Sequence, residues 1–262
     1  MRNILLTLSY DGTDFCGWQR QDGAHGARLE ATPVRTVQAV VESALERLHG
    51  QPVALTGSGR TDSGVHASAQ AANFRSPIDS IPVERYPQAL NAFLPPDVRV
   101  HTARTVAEHF SARFSATSRT YRYFLYPGDA PPANEARYVW ALRRQPDVRI
   151  LNAMASCLHG EQDFATFAAA GDLSRSTYRY VENACFYPQG DKIVFEITAN
   201  AFLWKMVRSL AGTFVAFEKA GKDAADFRRA LESRDRTRAG ATAPARGLFL
   251  WSVGFEGCRR HV

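Results

Sequence analysis

Residues 53–74 read VALTGSGRTDSGVHASAQAANF, and this stretch decides how the first half of the chain folds. Two apolar runs, at residues 53–55 and 69–74, flank a loop with three glycines, one arginine and one aspartate. The pattern predicts two strands joined by a tight loop, because glycine, serine and aspartate favour turns for local reasons. Glycine also lets a ligand approach the main chain, so Arg60 and Asp62 could form a small polar site on this loop. The alternative is a plain connection between two strands.

The segments around this loop predict a split β-α-β-β-α-β arrangement, which is the order of a ferredoxin-like half. Apolar residues at helical spacing predict a helix with Thr36 as its N-cap and Gly50 at its end. The predicted elements are strands at 3–10, 53–57, 69–74 and 98–102, and helices at 37–48 and 86–93.

The second half predicts the same order of elements. Its predicted strands are at 118–126, 177–187, 191–198 and 248–255, and its helices at 150–158 and 206–217. We therefore expect an α+β protein with two ferredoxin-like, RRM-like halves, residues 1–106 and 107–262, whose sheets lie side by side with a cleft between them. Residues 22–33 lack periodicity and are predicted to form a mobile loop.

Charge and cysteine usage limit the function classes. The 262 residues carry a formal net charge of +6, and the 32 basic residues comprise 28 Arg and 4 Lys. A basic, arginine-rich chain indicates a nucleic-acid partner, although biased composition would produce the same count. The four cysteines form no C-x-x-C pair, so we expect no zinc site, no disulfide framework and reduced thiols in the cytoplasm. No segment is long enough to span a membrane.

Asp62 is the residue of the glycine loop most suited to chemistry, since a carboxylate can act as a nucleophile or as a base. The motif holds no partner carboxylate, which disfavours the two-carboxylate design of glycosidases. No serine and histidine are arranged as a catalytic pair, and we interpret His66 as a turn or packing residue.

Two other positions admit both a functional and a structural interpretation. Tyr121 and Tyr123 share one face of their strand with Arg119, an arrangement that suits base stacking but also a half-buried strand. Arg208 stands near the start of an otherwise apolar helix, so its charged group must reach solvent or an anion.

Taken together, motifs along nearly the whole chain resemble the tRNA pseudouridine synthase A family. The resemblance lies in Asp11-Gly12, Gly17-Trp18-Gln19-Arg20-Gln21, Gly59-Arg60-Thr61-Asp62-Ser63-Gly64-Val65-His66, Ala89-Leu90-Asn91, Leu94-Pro95, Ala112-Arg113-Phe114-Ser115-Ala116-Thr117, Tyr121-Arg122-Tyr123, Asn200-Ala201-Phe202, Met206-Val207-Arg208, Thr242-Ala243-Pro244-Ala245 and Gly247-Leu248. No single tetrapeptide would suffice, but the ordered set is highly specific.

The resemblance implies a homodimeric enzyme without a cofactor or metal, built around a central, mostly antiparallel sheet. It implies conversion of uridine to pseudouridine at positions 38, 39 and 40 of the tRNA anticodon arm. Asp62 matches the catalytic aspartate, and Arg60 the arginine that helps to hold the target nucleotide out of the stem. Tyr121 matches the tyrosine that stacks on the flipped uracil, and Arg208 the arginine that pairs with the aspartate.

Two segments depart from the family pattern. Residues 22–33 lengthen a loop in a region where the family touches tRNA, and residues 171–177 fit the family spacing only loosely. Other hypotheses are an RNA-binding module without catalysis, a nucleoside hydrolase-like enzyme that releases uracil, and a pseudouridine synthase with other RNA targets. The intact Asp62 argues against the first, because RNA binding alone does not need it.

Overall fold

The computed structural model describes residues 1–21, 34–258 and 260. The predicted loop at residues 22–33 lies outside this part of the chain. The protein is of mixed α+β type and divides into two compact units. Unit 1 comprises Met1–Ala116 and Leu250–Phe255, and unit 2 comprises Thr117–Phe249 and Glu256–Val262.

Unit 1 has the predicted β-α-β-β-α-β order. Its elements are β1 (Arg2–Tyr10), α1 (Val37–His49), β2 (Leu55–Gly57), β3 (His66–Ser76), α2 (Tyr86–Asn91), β4 (Val98–Val106) and most of β10 (Leu248–Gly254). The strand order is β4-β1-β3-β10, and β2 pairs with β3. Strands β1, β2, β3 and β4 pair antiparallel, as expected. Thr36 is the N-cap residue of α1, and Gly50 ends the helix at a φ of 71°, so both predicted helix boundaries are confirmed.

The helices of unit 1 cover one face of its sheet. Ile4 lies opposite Phe74 in the β1–β3 register, and both are buried. The Phe74 ring contacts His49 of α1 and Tyr86 of α2, with centroid distances of 5.7 Å and 5.6 Å. The alternation predicted for β1 therefore places its even-numbered residues in this core.

Segment 107–116 covers part of the other face of this sheet. Leu5, Ala71 and Ala112 form a buried cluster there. The Asn73 side chain donates to Asn3 Oδ1 (2.9 Å) and accepts the Ala112 backbone N–H (2.8 Å). Two buried asparagines thus satisfy each other and fix the segment that leads out of unit 1.

Unit 2 follows the predicted order as far as its second predicted helix, with three additions, but the strand predicted at 248–255 for this half is β10, most of which belongs to unit 1 because it pairs with β3. Its elements are β5 (Ser118–Tyr126), β6 (Trp140–Ala141), α3 (Val148–Ala155), β7 (Gly160–Asp163), β8 (Tyr178–Gln189), β9 (Lys192–Ala199), α4 (Met206–Lys219) and α5 (Ala224–Glu232). The strand order is β5-β9-β8-β7, with antiparallel neighbours, and β6 pairs in parallel with β5. β6, β7 and α5 were not predicted. The α+β class and the mostly antiparallel sheet are confirmed.

Stacked phenylalanines form the centre of unit 2. Phe186 of β8 lies 4.7 Å from Phe195 of β9, and Phe214 of α4 lies 4.6 Å from Phe227 of α5, measured between ring centroids. Phe214 also meets Phe195 edge-on at 5.3 Å, which joins the helices to the sheet. Among the described residues, no helix is long and apolar enough to cross a membrane.

Candidate active site

The glycine loop of residues 58–65 connects β2 to β3, as predicted, and Gln70 holds its first part in place. The Ser58 N–H donates to the Ala71 carbonyl at 2.8 Å, which extends the β2–β3 pairing by one step. The Ser58 hydroxyl donates to Gln70 Oε1 (2.7 Å), and Gln70 Nε2 donates to the Gly59 carbonyl (3.0 Å). Gln70 is fully buried, so the loop leaves β2 in a direction set by a satisfied interior amide.

The segment that follows β1 forms a second support for the loop. The Trp18 N–H donates to the Thr61 carbonyl at 3.1 Å, and the Gly64 N–H donates to the Phe15 carbonyl at 3.2 Å. The Thr61 hydroxyl lies 2.9 Å from the Tyr10 hydroxyl in a buried hydrogen bond. The backbone on both sides of Asp62 is therefore bonded to the segment that carries the Gly-Trp-Gln-Arg motif.

Close approach explains two glycines of this supporting segment. A Cβ atom on Gly12 would lie 2.0 Å from the Val65 carbonyl oxygen. Gly17 has a φ of +91°, and a Cβ there would lie 2.6 Å from the Thr61 carbonyl oxygen. The two backbones touch directly, which only glycine permits at these positions.

Asp62 and Arg60 differ in how the loop presents them. The Asp62 carbonyl accepts the Val65 N–H at 3.1 Å, which closes the turn, and the Asp62 side chain is half-buried. Arg60 is exposed, and its guanidinium makes no hydrogen bond or ion pair within the part of the chain that the structure describes. The loop thus combines a carboxylate on a fixed backbone with an outward-facing cation two residues before it.

A third support, which was not predicted, consists of Arg35, Asp97 and Phe15. The Arg35 guanidinium forms a two-point ion pair with Asp97, at 2.8 Å and 3.0 Å, and lies 3.9 Å from the centre of the Phe15 ring. The Phe15 carbonyl accepts the Ser63 hydroxyl at 3.2 Å, in addition to the Gly64 N–H. Arg35 therefore holds the residue whose carbonyl orients the end of the glycine loop.

His66 is a packing residue in this arrangement, which agrees with its interpretation from the sequence. It is fully buried, and its Nδ1 accepts the Gly12 N–H at 2.9 Å. Since Nδ1 acts as an acceptor, the proton of the neutral ring is on Nε2. The Asp11 carboxylate oxygen that lies 3.2 Å from Nδ1 accepts the Thr13 N–H (3.0 Å).

In unit 2, Tyr121 and Tyr123 lie on one face of β5 and are both buried. Tyr121 meets the Phe202 ring edge-on at 5.0 Å. The Tyr123 hydroxyl donates to the Pro244 carbonyl at 2.7 Å. Burial raises the pKa of Tyr123 well above its ordinary value of 10.0, and the nearby positive charge of Arg208 opposes this only in part. Tyr123 is therefore an interior residue, and the base-stacking hypothesis concerns Tyr121.

Arg208 projects from the first turn of α4 and is half-buried. Its Nε donates to the Ala243 carbonyl at 2.9 Å, and the Ala243 N–H donates to the Arg208 carbonyl at 3.0 Å. A Cβ on Gly212 of the same helix would lie 1.8 Å from the Ala241 carbonyl oxygen, so segment 240–244 packs tightly on α4. From the sequence we expect the charged group of Arg208 to reach solvent or an anion. In the structure, one of its donors binds a backbone carbonyl.

Metal ligation has no support in the described part of the chain. No three His, Cys, Asp or Glu side chains among these residues are grouped as a metal site requires.

Comparison with known proteins places this chain in a family. Residues 7–115 and 154–256 match the family model described as tRNA pseudouridine synthase. A Treponema denticola protein named tRNA pseudouridine synthase A is 50% identical over 254 residues, which cover 97% of this chain and 93% of that protein. Proteins of the same name from Treponema pallidum (47% identical; 90% and 82% covered) and Caldicellulosiruptor saccharolyticus (40%; 97% and 99%) are also similar. The chain therefore belongs to the tRNA pseudouridine synthase family.

Proposed function

We propose that this protein converts uridine to pseudouridine in tRNA, at positions 38, 39 and 40 of the anticodon arm, with Asp62 as the catalytic residue. The observation that carries the proposal is a single carboxylate on a glycine loop whose backbone is bonded on both sides of it. Such fixed placement is what a nucleophile or base needs in order to meet one atom of a bound nucleotide. Membership of the family and the relatives' names support tRNA as the substrate.

The reaction conserves every atom of the substrate, so it consumes no oxidant, reductant or group donor. The N1–C1′ bond breaks, the uracil turns, and a C5–C1′ bond forms, after which C5 loses a proton and N1 gains one. Asp62 either attacks C1′ or removes the 2′ proton to leave a glycal, and both routes return the carboxylate at the end. The target base must first leave the helical stack, at a cost of a few kcal/mol that RNA contacts elsewhere must offset.

The other proposed residues suit this sequence of events. Arg60 is exposed beside Asp62, so its guanidinium is available to hold an opened stem by phosphate or base contacts. Tyr121 offers an aromatic ring for the flipped uracil, already held edge-on by Phe202. Arg208 donates Nε to the Ala243 carbonyl, and a planar guanidinium suits the two-point pairing with a carboxylate that the family resemblance implies for this residue.

We also propose that the enzyme is a homodimer that acts in the cytoplasm. The resemblance of the motifs to the family supports the dimer, and the tRNA substrate class supports the location. Sedimentation of the purified protein at several concentrations tests the dimer: a single species of about 29 kDa, the monomer mass, would contradict it.

Pseudouridine mapping tests the proposed reaction. The protein is incubated with an unmodified tRNA transcript, and with transcripts in which the uridines at 38, 39 and 40 are replaced by cytidine. We expect new pseudouridine at those uridines only, with no added metal and in excess chelator. Tight tRNA binding without any pseudouridine would favour a non-catalytic module, release of free uracil a hydrolase, and modification elsewhere a synthase with other RNA targets.

A further inference from the structure

A surface of unit 2 that the proposed chemistry does not use displays a tryptophan beside basic side chains. This surface, called here the Trp204 surface, consists of Leu173, Arg175, Trp204 and Lys205. Leu173 is 97% exposed and Trp204 is 47% exposed. The Lys205 Nζ lies 4.6 Å from the centre of the indole ring. Arg175 is exposed and forms no ion pair with the residues described by the structure.

The acidic residue of this region is engaged with the backbone. The Asp172 carboxylate accepts the N–H groups of Ser174 (2.7 Å) and Trp204 (2.5 Å), and the Ala169 N–H donates to the Trp204 carbonyl. Partial burial would raise the pKa of Asp172, but hydrogen bonds from Ser174 and Trp204 lower it overall. The Asp172 carboxylate therefore accepts hydrogen bonds from both parts of the surface and joins the loop of Leu173 and Arg175 to the segment of Trp204 and Lys205.

Two further features of the backbone distinguish the Trp204 surface: one is a buried support, and the other is a strained residue. Arg179 is buried and donates to the Ser176 carbonyl at 2.8 Å, which fixes the end of the loop that carries Leu173 and Arg175. Lys205 has a φ of 59°, a left-handed conformation that is unfavourable for a residue with a Cβ atom. Strain of this kind is retained where the surrounding structure holds it, and here it occurs next to the exposed indole.

We infer that the Trp204 surface binds the tRNA substrate, with a nucleobase stacked on Trp204 and the neighbouring phosphates held by Lys205 and Arg175. An aromatic ring beside cations is the combination that binds single-stranded or looped RNA without reading its sequence. The two charged members of the surface, Arg175 and Lys205, are positive, which complements a polyanion, and the hydrogen bonds of the Asp172 carboxylate are directed at the backbone. This inference rests on the proposed function, because α4, which carries Arg208, begins two residues after Trp204.

Aromatic and charge variants, compared by their dissociation constants for an unmodified tRNA transcript, test the inference. Trp204→Ala should weaken binding by roughly ten-fold to a hundred-fold, the range for loss of one base-stacking contact, whereas Trp204→Phe should retain most of the affinity. Lys205→Asn should reduce the slope of log affinity against log salt by about 0.7 to 0.9, the effect of losing one phosphate contact. Asn is chosen because it adopts positive φ readily. Arg228→Gln, on the exposed face of α5, is the control and should change neither quantity.

Leu173 provides variants that should leave the fold intact, since its side chain is almost fully exposed. Leu173→Glu should weaken tRNA binding by charge repulsion, and Leu173→Lys should strengthen it. Wild-type affinity in Trp204→Ala and in Leu173→Glu would overturn the inference. So would a change in sedimentation without a change in tRNA affinity, because the surface would then contact protein.

The outcome is separable from that of the proposed function. If wild-type protein forms no pseudouridine but Trp204→Ala still loses tRNA affinity, the surface inference stands and the proposed reaction is wrong. If pseudouridine forms normally and the variants bind as the wild type does, the surface inference is wrong and the proposed reaction stands.

Discussion

The indole of Trp18 lies against Gly57 so closely that a Cβ atom on Gly57 would be 2.5 Å from Trp18 Nε1. Trp18 is buried, and its backbone N–H donates to the Thr61 carbonyl. Trp18 thus contacts the last residue of β2, just before the glycine loop, through its ring, and the residue before Asp62 through its backbone. The glycine and the tryptophan of the Gly-Trp-Gln-Arg motif are therefore explained by their contacts with the glycine loop and with the residue before it.

We expect Gly57→Ala to destabilise the protein by about 1–3 kcal/mol, because the added methyl group must displace the indole. The measurement is the free energy of unfolding in urea. Gly59→Ala is the matched control, since a Cβ on Gly59 would meet nothing within 4 Å, and its stability should stay close to that of the wild type. Equal stability of the two variants would contradict the tight contact.

Arg35→Lys should clearly lower the rate of pseudouridine formation, while it lowers the free energy of unfolding only slightly. Lysine keeps the charge but cannot make the two-point pair with Asp97 or stack its head group flat on Phe15. The pair is partly exposed, so we expect a stability loss of only about 1 kcal/mol. Single-turnover pseudouridine formation at saturating tRNA is compared with urea unfolding for both proteins.

Arg75→Lys is the control for that experiment, since the ion pair of Arg75 with Glu108 is long, at 3.8 Å, and exposed, and lysine can also donate to the Glu108 carbonyl that Arg75 reaches at 2.8 Å. It should leave both quantities near wild type. If Arg35→Lys turns over as fast as Arg75→Lys, then Arg35 does not position the glycine loop for the reaction.

His66→Asn should retain most activity, because the amide oxygen of asparagine can accept the Gly12 N–H in place of Nδ1. His66→Leu should lose about 1–3 kcal/mol of stability, since it leaves that buried N–H without an acceptor. Thermal unfolding and turnover are measured for both. A stable His66→Asn protein without activity would show that the imidazole takes part in the reaction.

Glu218 should contribute stability that depends on pH. Its carboxylate accepts the Asp147 N–H at 2.9 Å and pairs with Arg144. Partial burial would raise its pKa, but the hydrogen bonds from Arg144 and Asp147 lower it below the ordinary value of 4.5. A carboxyl group with a lowered pKa in the folded state stabilises the fold above its unfolded pKa and loses this contribution as the pH falls through the folded value.

The unfolding free energy of Glu218→Gln should therefore lie below that of the wild type at pH 7, and the gap should close as the pH falls below about 4. Glu46→Gln, at an exposed position of α1, is the control and should match the wild type at every pH. A gap that stays constant between pH 7 and pH 3 would contradict the ion-pair account.

Elements with their own local signals could be predicted from the sequence, and elements that depend on partners could not. The helix α1 was predicted because Thr36 and Gly50 mark its ends and its apolar residues follow helical spacing. The strand β7 is the polar stretch Gly160–Asp163, which forms because β8 supplies its hydrogen bonds. The helix α5 begins with a capping box between Asp223 and Asp226, an aspartate version of a signal usually sought as Ser or Thr with Glu.

The same distinction holds for the candidate site. The spacing of glycines around Asp62 is local, so the loop and its carboxylate could be predicted. The pairing of Arg35 with Asp97 joins residues 62 positions apart, and neither stands in a pattern that points to the other. Contacts of this kind arise from tertiary packing, and the sequence of one protein does not reveal them.

The most direct test of the central claim is pseudouridine formation by Asp62→Asn in a single turnover with saturating tRNA, measured beside its tRNA dissociation constant. Asparagine has nearly the same shape but cannot act as a nucleophile or base. The account predicts tRNA affinity near that of the wild type and a rate reduced by more than about a hundred-fold, since the loss of a reacting group is larger than that of a positioning contact. A rate above about a hundredth of the wild-type rate, with tRNA bound normally, would contradict it.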